Sequence, residues 1–178
     1  TVLLPASGFD SVPTDLGVQA MRAGLEEGGP IHGFYTIRGG FNGGTLHSGI
    51  ALAEDFGREG MPRDTRSTKP FPIPSLNRWA TPFLMAPVNE AVVARSRVLE
   101  GGGMPTQVGG VPYREWMAVR GRLRAHGYRA TLAALGAMFR THLGRSLLRR
   151  LGPDPGDGPS ELDIANGFAR LHLIAGAM

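Results

Sequence analysis

Three short segments of this chain carry the side chains that could do chemistry. In Gly8-Phe9-Asp10-Ser11-Val12-Pro13 a carboxylate and a hydroxyl sit on a glycine turn, between the apolar run Val2-Leu3-Leu4 and a helix start. Asp10, held by backbone N–H groups near a helix N-terminus, stays ionised, and Ser11 can donate to a ligand. Either residue serves equally well as a helix cap, and Pro13 suits a first turn that needs no donor. Asp15, one turn further in, reads as a partner of the helix dipole rather than a base. In Asn42-Gly43-Gly44-Thr45-Leu46-His47-Ser48 an amide can orient a carbonyl or carboxylate, and the Gly43 and Gly44 N–H groups make an anion site if they converge. Thr45 and Ser48, three apart, share one side of a helix start, although Thr45 also fits a plain N-cap. Tyr113 and Arg114, on opposite faces of a strand, could reach a substrate carboxylate or thioester, or be ordinary strand residues.

The chemistry excluded is as clear. No pair among the five histidines has metal-ligand spacing, and no G-x-S-x-G elbow is present. With Cys 0 there is neither thiolate nor disulfide chemistry. Orientation by hydrogen bonds remains, as in hydride transfer, where the cofactor supplies the reactive bond.

Apolar periodicity and turn residues predict the elements that hold these groups. Strands are expected over 2–6, 31–38, 111–120 and 168–175. Helices are expected over 12–27, 45–59, 88–100 and 130–151. Val12, Leu16, Ala20 and Ala23 should form the buried face of the first helix. Residues 60–82, with five prolines, read as a long loop. The fold class expected is α+β, a mixed, largely antiparallel sheet with helices packed on one face.

The first two segments resemble the saccharopine dehydrogenase-like oxidoreductases, in which G-F-D-S-x-P-x-D-x-G and G-G-T-x-x-S-G follow a nucleotide-binding domain. Weaker similarity continues through Phe83-Leu84-Met85-Ala86, Val92 to Ser96, Pro112-Tyr113-Arg114-Glu115 and Gly156 to Glu161. No strand, G-x-G-x-x-G and helix occur in succession, so the resemblance implies one domain over 1–178, part of a two-domain enzyme. Residues 1–27 would link it to a Rossmann domain. It further implies NADP or NAD as cofactor, met here by the turn Gly8, Phe9, Asp10, Ser11 and Pro13. Asn42, Gly43, Gly44, Thr45, Ser48, Tyr113 and Arg114 would bind substrate, and Asp10, Ser11 and Thr45 would take catalytic roles. One branch comprises trans-acting enoyl reductases, for which an acyl or lipid substrate and a homodimer are expected.

Charge is uneven. The chain carries a formal +4, yet Tyr113 to Leu151 alone holds nine Arg against one Glu. Within it, Leu132, Leu135, Phe139, Leu143 and Leu147 make one apolar stripe at helical spacing, with Arg145 and Arg149 opposite. Ala130 to Leu151 could therefore lie in a membrane surface, or pack within the fold or between subunits. Few aromatics interleave with the arginines, so nucleic acid is not expected as a partner. No run approaches the roughly 20 apolar residues of a membrane span. A cytoplasmic protein, in peripheral contact with membrane at most, is the expectation.

Overall fold

The computed structural model describes Gly8 and residues 11–25, 29–39, 43–55, 69–100 and 113–176. The expected strand over 2–6, together with Phe9, Asp10 and Asn42, lies outside these residues.

Ile31–Arg38 (β1) is a strand because its branched and aromatic residues fit a pleated, half-buried surface. It pairs in parallel with Tyr113–Val119 (β4), Gly33 lying opposite Glu115, and antiparallel with Phe168–Ala175 (β5). Arg78–Thr81 (β3) runs antiparallel to β4, and Phe71–Ile73 (β2) antiparallel to β3. The order is β2-β3-β4-β1-β5. Three of the four pairings are antiparallel, so the sheet is mixed and largely antiparallel, as expected.

Val12–Ala23 (α1) and Ala86–Leu99 (α3) pack together over β1, β4 and β5. Val18, Ile31, Val93 and Tyr113 form the buried cluster between them, joined by Met21, Leu25 and Leu173. A second cluster, Phe34, Ile73, Ala80 and Ala118, includes Trp116, whose ring meets Phe71 edge-on at 5.0 Å. Each buried Val, Ile or Phe among them contributes about 1.5–3 kcal/mol. Gly43–Asp55 (α2), Arg122–Arg140 (α4) and His142–Leu151 (α5) pack on one another, with Leu46, Ile50 and Ala53 buried. Glu161–Asn166 (α6), capped by Ser160 accepting from the Asp163 N–H, precedes β5. No described helix is long and apolar enough to cross a membrane.

Four expectations are corrected. In α1 the row Val12, Leu16, Ala20 and Ala23 faces outward; Thr14 and Val18 are the buried positions. Hydrophobicity alone picked the wrong face, because the sheet beneath α1 presents a carboxylate that Thr14 satisfies. The helix also stops at Gly24, a poor helix former, before residue 27. The end of the supposed loop 60–82 is the β2–β3 hairpin, which turns through Asn77 in the left-handed region (φ 49°). Pro72 is tolerated there because β2 is an edge strand. The single helix over 130–151 is two. Thr141 is extended, and its Oγ1 accepts from the Gly144 N–H at 3.0 Å, ending α4 and capping α5. The proposed stripe therefore divides. Leu132, Leu135 and Phe139 are half-buried, whereas Leu143 and Leu147 are exposed.

Candidate functional site

Odd-numbered residues of β4 face α1 and α3, which turns Tyr113, Glu115 and Met117 inward. A glutamate at such a position must find donors, because a buried unpaired carboxylate is costly. Glu115 finds three. Its Oε1 accepts from the Thr14 hydroxyl at 2.9 Å and the Tyr113 hydroxyl at 2.6 Å, and its Oε2 accepts from Asn89 Nδ2 at 2.6 Å. Thr14 spends its one hydrogen on Glu115, so the Tyr35 hydroxyl donates to Thr14 Oγ1 across 2.9 Å. Ser11 Oγ donates to Asn89 Oδ1 at 3.0 Å, completing the cluster. Ser11, Thr14, Asn89 and Glu115 are each no more than 2% exposed.

Two further carboxylates secure the frame. Glu90 accepts the Glu115 backbone N–H at 3.0 Å and pairs with Arg114 at 3.2 Å, tying α3 to β4. Asp15 accepts from Ser96 Oγ at 2.7 Å and from Gln19 at 3.2 Å, tying α1 to α3. Asp15 is thus a cross-link as well as a first-turn acid.

Burial pushes the Glu115 carboxyl above its ordinary value, against three hydrogen bonds that favour the charged form. Burial, and then the neighbouring Glu115 charge, raise the Tyr113 hydroxyl far above the usual phenol range. All three contacts to Glu115 come from donors, so the cluster has the pattern that receives a carboxylate.

Among the expected site residues, Ser11 and Tyr113 meet through Asn89 and Glu115. Neither offers a free hydroxyl, since both donate inward. Ser11 occupies the N-cap position of α1 but does not cap with its side chain; its N–H and that of Val12 close the turn on the Gly8 carbonyl. Pro13 lies in the first turn, as expected. Arg114 is engaged by Glu90.

The second constellation lies elsewhere, on α2, which packs on α4 and α5. Thr45 and Ser48 are exposed on its first turns. The Gly43 N–H donates to the Asp157 carbonyl at 3.1 Å, and a Cβ at Gly43 would overlap the Asp154 carbonyl. That donor is consequently filled by the chain itself. No group of three potential metal ligands occurs among the described residues.

Residue-by-residue reading missed Thr14, Asn89 and Glu115, the centre of the cluster. Glu115 did carry a signal: a lone acid alternating with Tyr113 and Met117 in a strand whose neighbours on that face are buried. Nothing local marks Asn89 or Thr14, whose roles depend on helices brought together by the fold.

No protein-family model matches this chain, and no solved structure matches it. The chain is 27% identical, across 95% of its length, to a Mycobacterium tuberculosis protein provisionally named trans-acting enoyl reductase, Rv2449c in strain H37Rv. The corresponding protein MT2525 of strain CDC 1551 matches equally. In both cases the chain spans about half (49%) of the relative's length, so the similarity is to part of a longer oxidoreductase-type protein.

Proposed function

We propose that this chain is the substrate-side domain of an NAD(P)-dependent oxidoreductase that reduces an acyl or lipid-type substrate. The observation that carries the reading is similarity across nearly all of the chain to proteins named enoyl reductases. The nicotinamide would supply the hydride. In this chain the cluster around Glu115 would stiffen the turn from Gly8 to Pro13, with Phe9 and Asp10 nearest the nucleotide. Thr45 and Ser48, together with Asn42, would form the substrate side, and a homodimer is the expected assembly. The test is an assay of the full-length protein with NADPH, or NADH, and a 2-enoyl thioester. Loss of reduced-nicotinamide absorbance that requires the thioester supports the reading; its absence with both nucleotides overturns it.

One observation favours a second reading, a non-catalytic module that rests on a membrane or partner. Leu143, Leu147 and Leu151 follow one another at four-residue spacing on α5 and are 80%, 45% and 75% exposed. Arg145 and Arg149 are held on the other side by Glu54. Flotation with anionic liposomes, lost when Leu143 and Leu151 become serine, would support this alternative. A module of this kind would leave reduced-nicotinamide fluorescence unquenched.

A further inference from the structure

The carboxyl ends of β1 and β4 open into a cavity of about 640 Å³, closed on one side by α4. Its wall holds four arginines: Arg38, Arg78, Arg120 and Arg124. Three of them stand at one level of the sheet. Trp79 lies opposite Val119, so Arg78 and Arg120 meet one step further along. Extending the register in which Tyr35 faces Met117 sets Arg38 beside Arg120. Neighbouring strands lie about 4.8 Å apart, so three cationic side chains leave adjacent strands side by side. Arg124 joins them because the chain turns at Gly121 (φ 82°) directly into α4.

Like charges facing one another across strands are destabilising. Proteins normally offset such a row with carboxylates, as this one does for Arg145 and Arg149 with Glu54. Here no described wall residue is acidic, and none of the four arginines is ion-paired among the described residues. Two further features concern a ligand. Thr36 lines the cavity with a buried hydroxyl that has no hydrogen-bond partner. Phe168, paired with Arg38 across β1 and β5 and 45% exposed, adds apolar wall on the same face as the cations.

We propose that this cavity binds a small organic phosphate, its phosphate or pyrophosphate head on Arg38, Arg78, Arg120 and Arg124 and its apolar body over Phe168. Guanidinium groups match phosphate oxygens with paired donors, and a multiply charged head uses more than one of them. The Tyr128 ring lines the α4 side. The site is separate from the Glu115 cluster: Arg120 is five residues along from Glu115, about 16 Å of extended chain. It therefore stands or falls independently of the reductase reading.

Titration calorimetry of the full-length protein at low ionic strength tests this, with inorganic pyrophosphate, ADP and a short-chain alkyl phosphate as probes. Pyrophosphate should saturate one site, and Arg120→Gln should weaken it about ten-fold or more, the worth of one charge-assisted contact. Arg140→Gln, outside the cavity, should leave binding within about two-fold. Tighter binding of ADP or of the alkyl phosphate than of pyrophosphate identifies the apolar body as aromatic or aliphatic. In the ligand-free protein Arg120→Gln should raise Tm, because it relieves repulsion, and this readout also reports that the variant is folded. Absence of saturation by all three probes, or equal weakening by Arg120→Gln and Arg140→Gln, overturns the proposal. So does tighter binding of a single-stranded oligonucleotide at the same arginines.

Discussion

Gly33 lies under the ring of Tyr113, so close that a Cβ at residue 33 would overlap the Tyr113 hydroxyl and crowd its ring carbons. The missing side chain on β1 is what lets Tyr113 lie across the sheet and donate to Glu115 at 2.6 Å. Because Tyr113 is buried, its ring has little room to retreat.

Gly33→Ala should accordingly destabilise the protein by about 2 kcal/mol through overpacking and loss of the Tyr113–Glu115 bond. Tyr113→Phe removes the hydroxyl and loses the same bond, so the double variant should cost clearly less than the two single costs combined. Urea midpoints of the four proteins measure the coupling. Strict additivity would show that the two residues do not share this space.

Glu115 supplies a second prediction, with a pH signature. Its carboxyl is raised by burial, so above its ordinary value of 4.5 the folded protein binds more protons than the unfolded chain. Stability should therefore fall as pH rises from that value through the raised one. Glu115→Gln removes the titrating group. The glutamine carbonyl can still accept from Thr14 and Tyr113, while Asn89 reverses its amide to accept from the new NH2 group and Ser11 becomes an acceptor. The advantage of Glu115→Gln over wild type should increase as pH rises above that ordinary value, as read from urea midpoints across a pH series. Glu115→Leu, which leaves three buried donors without a partner, should cost about 3 kcal/mol or more at every pH.

Strand β1 was legible in the sequence to the residue through its branched and aromatic run, and β5 through its short apolar length between Gly167 and Gly176. Helix α3, expected over 88–100, spans Ala86–Leu99. The buried row of α1 was not legible, since Thr14 is inward only because Glu115 of a distant strand needs a donor. The β2–β3 hairpin hid behind Pro72 and Pro74, which argue against a strand anywhere except at an edge. For the candidate site, Ser11 and Tyr113 were marked by their segments, but their convergence spans about a hundred residues and is a property of the fold. The arginine row at the sheet end was equally hidden, since Arg38, Arg78 and Arg120 become neighbours only through strand register.

The α4–α5 corner gives a third prediction. A Cβ at Gly144 would overlap the backbone of Met138 and crowd Thr141 Oγ1. Gly144→Ala should thus open the corner and cost about 2–3 kcal/mol, despite alanine being the better helix former. Thr141→Ala, which removes the cap to the Gly144 N–H and the hydroxyl's 3.4 Å bond to the Met138 carbonyl, should cost about 1 kcal/mol. Thermal unfolding ranks the two. If Gly144→Ala stabilises, residues 122–151 form one continuous helix in solution.

Thr45 and Ser48 offer the sharpest separation of chemistry from architecture. Both are exposed on α2, whose buried residues are Leu46, Ile50 and Ala53. Ser48→Ala should leave stability within about 0.5 kcal/mol, the usual range for surface positions, and the Thr45→Ala, Ser48→Ala pair is compared with it in the same urea titration. In the full-length protein the same pair of changes should reduce kcat/KM for an enoyl thioester by about ten-fold, equivalent to about 1.4 kcal/mol of transition-state binding. A loss of kcat/KM in protein whose urea midpoint is unchanged is assigned to contact with the substrate. Unchanged kinetics would remove the exposed face of α2 from the site.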